Sequence, residues 1–280
     1  MKQKKLQESM IKPYEMSLRE AEKSEATVEK YLYHVRQFAA RYAGREIDKA
    51  LMLDYKAWMG EKYAPSSANA ALAAVNGFLR FWSFENCCVK PFKVQKKIYC
   101  PEEKELTREE YVRLVRAAKE KSSERLALLL ETICATGIRV SELQSITVEA
   151  VAQGEAVVRC KGKTRTIFLP AALCKKLRRY IQKQQLHTGP VFVTRTGKPM
   201  NRSNIWREMK ALCARANVAP SKVFPHSLRH LFARCFYAID HDVAKLADIL
   251  GHSNINTTRI YIITTGAEHR RKMETLRLVI

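Results

Sequence analysis

Residues 250–261 read LGHSNINTTRIY, a stretch that contains a helix end, a turn and the start of another helix. Gly251 is typical of a helix end, because glycine readily adopts the left-handed conformation that terminates a helix. Asn254 is a turn and capping residue, and the pattern after it predicts a short helix over 257–265. The sequence therefore predicts that Tyr261 lies on this helix and presents its hydroxyl group from there.

Three other short segments carry polar residues of related chemistry. ATGIRVSEL spans 135–143 and HSLRH spans 226–230. Two strand-like runs flank KGKT at 161–164, which predicts a β-hairpin with lysines at its tip. The candidate site residues of these segments are Arg139, Lys161, His226, Arg229, His252 and Tyr261.

These residue types suffice to break a phosphodiester bond without a metal ion. Arg139 and Arg229 carry guanidinium groups, which bind phosphate oxygens with two parallel hydrogen bonds and keep their charge. An unperturbed histidine has a pKa near neutrality, so the imidazole of His226 can accept a proton from a hydroxyl group. Tyr261 can then attack phosphorus, and the ammonium group of Lys161 can protonate the leaving oxygen.

The segments, their order and their spacing resemble the tyrosine recombinase (phage integrase and Xer-like) family over most of the chain. The resemblance implies that all six residues are catalytic, with Tyr261 as the nucleophile of a 3′-phosphotyrosyl intermediate. It also implies strand exchange without ATP or any cofactor, in a tetramer bound to two double-stranded DNA sites. The family's lysine typically precedes a glycine at the hairpin tip, which selects Lys161 and leaves Lys163 as the alternative.

Two further residues of these segments receive supporting roles. Glu142 follows Arg139 by about one helical turn, so its carboxylate is expected to support the Arg139 guanidinium. His230 is interpreted as a packing or phosphate-supporting residue and not as a catalytic one.

The chain as a whole reads as a mainly helical protein with a small β-sheet. Apolar residues recur at helical spacing over about 24–84, which predicts a compact helical bundle. The stretch 90–106, KPFKVQKKIYCPEEKEL, is charged, contains two prolines and lacks periodicity, which is typical of an interdomain linker. After it, Thr107-x-x-Glu110 forms a capping box that predicts the start of a helix, and Gly137 predicts the end of the next one. The hairpin follows, then a predicted short strand at 191–193 and a predicted helix over 203–216. The second half is therefore predicted to be a mixed α+β unit.

The resemblance implies the identity of both units. We expect an N-terminal helical core DNA-binding domain of the SAM-like type at 12–92, a linker at 93–104 and a catalytic domain at 105–280. The short segment before the bundle favours a recombinase without the arm-site domain of many phage integrases. Segment 266–280 is expected to form a helix that packs on its own domain or on a neighbouring protomer.

The charge indicates a polyanionic partner. Fifty Lys and Arg residues against 28 Asp and Glu residues give a net charge of +22, which favours nucleic acid. The sequence shows no secretory signal and no bilayer-spanning apolar stretch, so a cytoplasmic location without membrane contact is expected. Eight cysteines show no zinc-binding spacing and read as reduced thiols, so no metal is expected.

Other function classes remain open at this point. A non-catalytic, sequence-specific DNA-binding regulator would share the charge and the helices, and a type IB topoisomerase would share the chemistry. A basic scaffolding protein would share the composition alone. Among recombinases, integration, excision, inversion and resolution use one chemistry, with or without an accessory or partner recombinase. Covalent attachment to DNA distinguishes a recombinase from a regulator.

Overall fold

A computed structural model of the chain describes residues 5–94, 105–120, 123–160, 163–261 and 273–276. The chain divides into two compact units, residues 1–96 and residues 97–280. The domain boundaries expected from the sequence stay predictions.

The described part of the first unit is a bundle of four α-helices around one apolar core. These are α1 (Ile11–Glu20), α2 (Glu25–Arg41), α3 (Lys49–Lys62) and α4 (Pro65–Phe81). Asp48 caps α3 by accepting a hydrogen bond from the Leu51 backbone N–H at 2.7 Å. Pro65 begins α4, where its missing N–H group costs nothing.

The helical periodicity of the sequence places the start of this bundle near residue 24 and does not predict α1. This helix has only ten residues, and three of them, Ile11, Tyr14 and Leu18, are buried. So short a helix is marginal in isolation, and its stability comes from the packing of that face on the rest of the bundle.

The described part of the second unit contains nine α-helices and a two-stranded sheet around its own core. The helices are α5 (Arg108–Glu120), α6 (Glu124–Thr136), α7 (Val148–Gln153), α8 (Ala171–Lys183), α9 (Arg202–Lys210), α10 (Cys213–Ala216), α11 (Pro225–Asp240), α12 (Val243–Leu250) and α13 (Ile255–Arg259). Leu129, Leu130 and Ile133 of α6 are completely buried, so this helix lies at the centre of the unit.

The sheet confirms the predicted hairpin. Strand β1 (Glu155–Cys160) pairs antiparallel with β2 (Lys163–Phe168), and Val158 lies opposite Arg165. The predicted tip residues, Lys161 and Gly162, lie outside the described residues. Their position in the hairpin therefore stays a prediction.

One further predicted element is wrong, and another is confirmed only in part. The apolar run 191–193 forms no strand, and its neighbourhood holds only the isolated bridges Thr147–Pro190 and Val193–Pro199 among the described residues. The two prolines cannot donate to a ladder, so pairing stops after single bridges. The helix predicted over 203–216 is broken between α9 and α10, where the Leu212 backbone N–H bonds to the Met209 carbonyl.

None of the described helices is long and apolar enough to cross a bilayer. The described residues likewise contain no group of three or more histidine, cysteine, aspartate or glutamate side chains arranged to hold a metal ion.

Candidate active site

Five of the six predicted site residues are described, and each lies at the beginning or just beyond the end of a helix in the second unit. Arg139 immediately precedes a 3₁₀ turn, Val140–Ser145. His226 and Arg229 lie in the first turns of α11. His252 follows α12 and Tyr261 follows α13. The sixth residue, Lys161, lies outside the described residues.

Tyr261 and His226 are in direct contact. The Tyr261 hydroxyl oxygen lies 2.9 Å from His226 Nε2, within hydrogen-bonding distance. Burial lowers the pKa of His226, and the nearby charges of Arg229 and Arg139 lower it further. The imidazole is therefore neutral near pH 7, and a neutral imidazole with its lone pair at Nε2 can accept the phenol proton.

Tyr261 does not lie on a helix, contrary to the prediction. Helix α13 ends at Arg259, and the backbone N–H of Tyr261 donates to the Thr258 carbonyl at 2.9 Å. This i→i−3 bond tightens the chain after the helix, and Tyr261 is only 5% exposed, in a small apolar cluster with Leu246 and Leu250. Residues 262–265 of the predicted helix lie outside the described residues.

Three histidine rings surround the Tyr261 ring. His230 stacks on it with ring centroids 4.2 Å apart and an angle of 18° between the planes. His226 and His252 contact it at centroid distances of 5.2 Å and 5.1 Å. Burial, followed by the charges of His226 and Arg234, lowers the pKa of His230 to about 4, so this ring is neutral.

The stacked ring agrees with the sequence interpretation of His230 as a packing residue, although the sequence did not say what it packs against. His226 and His230 are four positions apart on α11. Residues at this spacing share a helix face, which is why both rings reach Tyr261.

Arg229 is the most deeply placed charge of the site, with a relative exposure of 1%. Its Nη1 donates to the Gly137 carbonyl, and its Nη2 lies 2.6 Å from the Leu250 carbonyl and 3.1 Å from His252 Nε2. Burial, together with the charge of Arg139, lowers its pKa to about 10, so the guanidinium remains charged near pH 7. Its Nε has no hydrogen-bond partner among the described residues.

The Gly137 carbonyl is available to Arg229 because of how α6 ends. Gly137 terminates α6 in the left-handed conformation, as the sequence predicted. A Cβ atom at this glycine would lie 2.4 Å from the Phe232 ring, so the close approach of α11 also requires glycine.

Arg139 is held by the carboxylate that the sequence assigned to it. Arg139 Nη1 lies 2.9 Å from Glu142 Oε1, and its backbone N–H donates to Oε2 at 2.9 Å. Arg139 Nη2 also donates to the Gly251 carbonyl at 3.1 Å. The Arg139 side chain is 31% exposed, so it is far more accessible to a ligand than Arg229. The expectation that Glu142 supports this guanidinium is confirmed.

Arg165 of β2 also belongs to the site, although the sequence pattern did not predict it. Its Nη2 lies 2.6 Å from Glu142 Oε2, and its Nη1 donates to the Ile249 carbonyl at 2.5 Å. Burial alone would raise the pKa of Glu142, but the Arg139 backbone N–H and the Arg165 charge outweigh burial and lower it. A signal for Arg165 exists in the alternation of β2, because it shares a face with the buried Ile167. A charge on a buried face requires a partner.

The described part of the site is therefore strongly positive. Arg139 and Arg165 both contact the Glu142 carboxylate, and burial, together with the charges of both guanidinium groups, lowers the pKa of Arg229. Such a cluster suits an anionic ligand, and guanidinium groups bind phosphate oxygens particularly well.

Comparison with known proteins places the chain in a family. The family model described as "Phage integrase family" matches residues 104–267. Tyrosine recombinase XerA of Thermococcus kodakarensis is 29% identical over 276 residues, which cover 95% of this chain and 94% of that protein. Tyrosine recombinase XerD of Halalkalibacterium halodurans is 30% identical over 248 residues, 81% of each chain.

The fold is also shared with a solved structure. A lambda integrase dimer bound to a COC′ core site superposes with a TM-score of 0.74 at 17% identity, covering 91% of this chain and 95% of that one. The family model covers more than half of the 280 residues. The chain therefore belongs to the phage integrase family of tyrosine recombinases.

Proposed function

We propose that this protein is a site-specific DNA recombinase that cleaves and rejoins DNA strands through a 3′-phosphotyrosyl intermediate, using neither metal nor ATP. The observation that carries the proposal is the Tyr261 hydroxyl group, 2.9 Å from His226 Nε2 and beside the buried charge of Arg229. The resemblance to proteins named tyrosine recombinase XerA and XerD supports it. Integration, excision, inversion and resolution are all compatible with this chemistry.

In the proposed first step, His226 accepts the phenol proton and the Tyr261 oxygen attacks the scissile phosphorus. The bond from phosphorus to the 5′ oxygen breaks, and Lys161 supplies the proton that this oxygen takes up. The phosphate is then esterified to Tyr261, and a 5′ hydroxyl group from another strand reverses the step. The phosphotyrosyl ester that forms replaces the phosphodiester bond that breaks, so the step needs no external energy source.

The guanidinium groups stabilise the charge that develops on the phosphate oxygens. Arg139 is partly exposed and supported by Glu142, so its geometry is fixed before DNA binds. Arg229 keeps a buried Nε–H group without a partner among the described residues, and a phosphate oxygen would satisfy this donor. His252 lies against Arg229 and completes the proposed set.

We also propose a role for each unit and an assembly. The helical first unit would bind DNA as the core-binding domain, and the second unit would carry the chemistry. The net charge of +22 supports double-stranded DNA as the partner. The solved lambda integrase is a dimer on DNA, and we infer a homo-oligomer on DNA here, a tetramer in the synapse, with or without a partner recombinase.

The experiment that tests the chemistry uses a nicked suicide duplex containing DNA that flanks the gene, incubated without metal and analysed on a denaturing protein gel. The unaltered protein should give a slower, nuclease-sensitive band. Tyr261→Phe should bind the duplex with unchanged affinity and give no such band, because only the nucleophilic oxygen is lost.

Either of two results would contradict the proposal. A covalent band that persists in Tyr261→Phe would place the nucleophile elsewhere. Tight, sequence-specific binding by the unaltered protein without any band would favour a non-catalytic DNA-binding regulator.

A further inference from the structure

The His252 ring is held at both of its nitrogen atoms, which determines its tautomer. Nε2 lies 3.1 Å from Arg229 Nη2, and Nδ1 lies 2.8 Å from Thr258 Oγ1. A guanidinium group only donates hydrogen bonds, so Nε2 must carry the lone pair. Burial, together with the charges of Arg229 and Arg139, lowers the pKa of His252 to about 4. The ring is thus neutral, its single proton is on Nδ1, and Thr258 accepts the hydrogen bond.

Thr258 links this ring to the nucleophile segment. It lies on α13 and is completely buried. Its carbonyl accepts the hydrogen bond from the Tyr261 backbone N–H at 2.9 Å. The same residue therefore contacts the base of the Tyr261 turn through its backbone and His252 through its side chain.

A hydroxyl group differs from the usual partners of a histidine ring. A carbonyl or a carboxylate only accepts hydrogen bonds and would fix the proton on Nδ1. The Thr258 hydroxyl can accept from Nδ1–H in one state and donate to a bare Nδ1 in another. This pairing leaves Nδ1 of His252 satisfied in both neutral tautomers, next to the completely buried Thr258, where an unpaired nitrogen is costly.

We propose that Thr258 is a positioning residue that lets His252 reverse its tautomer when DNA binds. In the free protein His252 Nε2 accepts from Arg229. With a phosphate oxygen in the site, Nε2 donates to that oxygen, and Thr258 donates to Nδ1. The ring loses one proton at Nδ1 and gains one at Nε2 by exchange with water, so its charge does not change. This role rests on the proposed function, because the phosphate is that of the scissile DNA strand.

The first test reads the tautomer directly and does not depend on activity. Two-bond nitrogen–proton correlation spectra of the full chain, labelled with ¹⁵N-histidine, distinguish an Nδ1–H ring from an Nε2–H ring. The His252 signal is assigned by its loss in His252→Asn. The free protein, Thr258→Ser and Thr258→Val should all show Nδ1–H, because Arg229 donates to Nε2 in each of them. Tyr261→Phe bound to the uncleaved duplex should show Nε2–H, and a bound ring that stays Nδ1–H would reject the change of tautomer. An Nε2–H ring in the unaltered free protein would overturn the proposal without the need for any variant.

The second test measures cleavage in single turnover on the suicide duplex. Thr258→Val should slow formation of the covalent band by about ten- to a hundredfold, the effect of an unsatisfied buried group, with unchanged DNA affinity. Thr258→Ser should restore the rate to within a few-fold, because it restores the hydroxyl group. Thr257→Val is the matched control, since Thr257 is the exposed neighbour on the same helix, and its rate should not change.

The outcomes separate this inference from the proposed function. Normal cleavage by the unaltered protein and equally fast cleavage by Thr258→Val would reject the role of Thr258 and leave the recombinase chemistry intact. Absence of a covalent band from the unaltered protein would reject the chemistry, and with it the change of tautomer on phosphate. An effect of Thr258→Val that Thr258→Ser does not rescue would reduce Thr258 to a packing residue.

Discussion

In the proposed mechanism the Tyr261 hydroxyl group needs a base that is unprotonated when DNA binds, and the surroundings of His226 favour such a base. Burial and the charges of Arg229, Arg139 and Arg202 all lower the pKa of His226, since each of them disfavours the imidazolium ion. The ring remains a base in mildly acidic solution, below the ordinary histidine pKa of about 6.5. The electrostatics that suit a phosphate anion thus also keep the base ready.

A pH dependence of cleavage follows from this lowered pKa. The single-turnover rate should be constant from neutral pH down to about pH 6.5 and fall only at lower pH, as His226 takes up a proton. His226→Gln should lose about 10²–10⁴-fold in rate, the usual contribution of a general base, and its residual rate should lack this acid limb. His187→Gln, at an exposed histidine, is the control. An unchanged acid limb in His226→Gln would assign the base to another group.

The roles of Lys161 and Lys163 can be distinguished by the chemistry of the leaving group. Lys161→Ala should slow cleavage more than Lys163→Ala, because Lys161 is predicted to protonate the 5′ oxygen. A suicide duplex with sulfur in place of that oxygen has a leaving group that needs no acid, so it should restore the Lys161→Ala rate selectively. Selective restoration of Lys163→Ala would assign the acid to Lys163.

The identities of the site residues were more predictable than their contacts. The family resemblance named Arg139 and Arg229 as candidates, whose catalytic roles stay predictions, and the i, i+3 relation correctly predicted the contact of Glu142 with Arg139. The sequence did not predict Thr258 and Arg165 as site residues, because their partners, His252 and Glu142, lie on other elements. Local pattern does not report which elements meet in space.

At the scale of elements, the sequence signals for helix ends were reliable wherever neighbouring residues of the same segment supply the hydrogen bonds. The capping box of α5 is present as predicted, with reciprocal bonds of 2.9 Å and 3.2 Å between Thr107 and Glu110. Gly137 ends α6 for a similarly local reason. The predictions failed at α1 and at residues 191–193, where tertiary packing or a nearby proline decides the outcome.

Two glycines with similar backbones provide a test of how the elements of the site are held together. Gly251 has φ +64°, and a Cβ there would lie 2.5 Å from Arg165 Cδ, whereas Gly154 has φ +82° and nothing within 4 Å. Gly154→Ala and Gly251→Ala should each lower the free energy of unfolding by about 1–2 kcal/mol through the left-handed backbone. Only Gly251→Ala should also displace Arg165.

Displacement of Arg165 disturbs Glu142 and, through it, Arg139. Gly251→Ala should therefore slow cleavage by about a hundredfold, which is the usual effect of a small misplacement of catalytic groups. Denaturant unfolding and single-turnover cleavage measure the two effects separately. Equal cleavage rates in Gly154→Ala and Gly251→Ala would show that the position of Arg165 does not affect the catalytic groups.

At the scale of the whole molecule, the fold class was predictable because both units follow ordinary helical periodicity. The mainly helical chain with its two-stranded sheet matches the expectation, and each unit has its own apolar core. Core formation depends on composition and spacing, which the sequence states directly. The net charge of +22 is also a property of the whole molecule. The salt dependence of DNA binding tests its consequence.

DNA affinity should fall steeply as salt concentration rises, because each phosphate contact releases condensed counterions. If the protein makes about six to ten such contacts, affinity should drop by about 10³–10⁵-fold between about 50 and 200 mM salt. Fluorescence anisotropy with a labelled duplex gives Kd at each concentration. Tyr261→Phe should give the same slope, since it removes an attacking oxygen and no charge. A nearly flat response would mean that the excess positive charge does not face the DNA, because charges that contact phosphates cannot avoid this dependence.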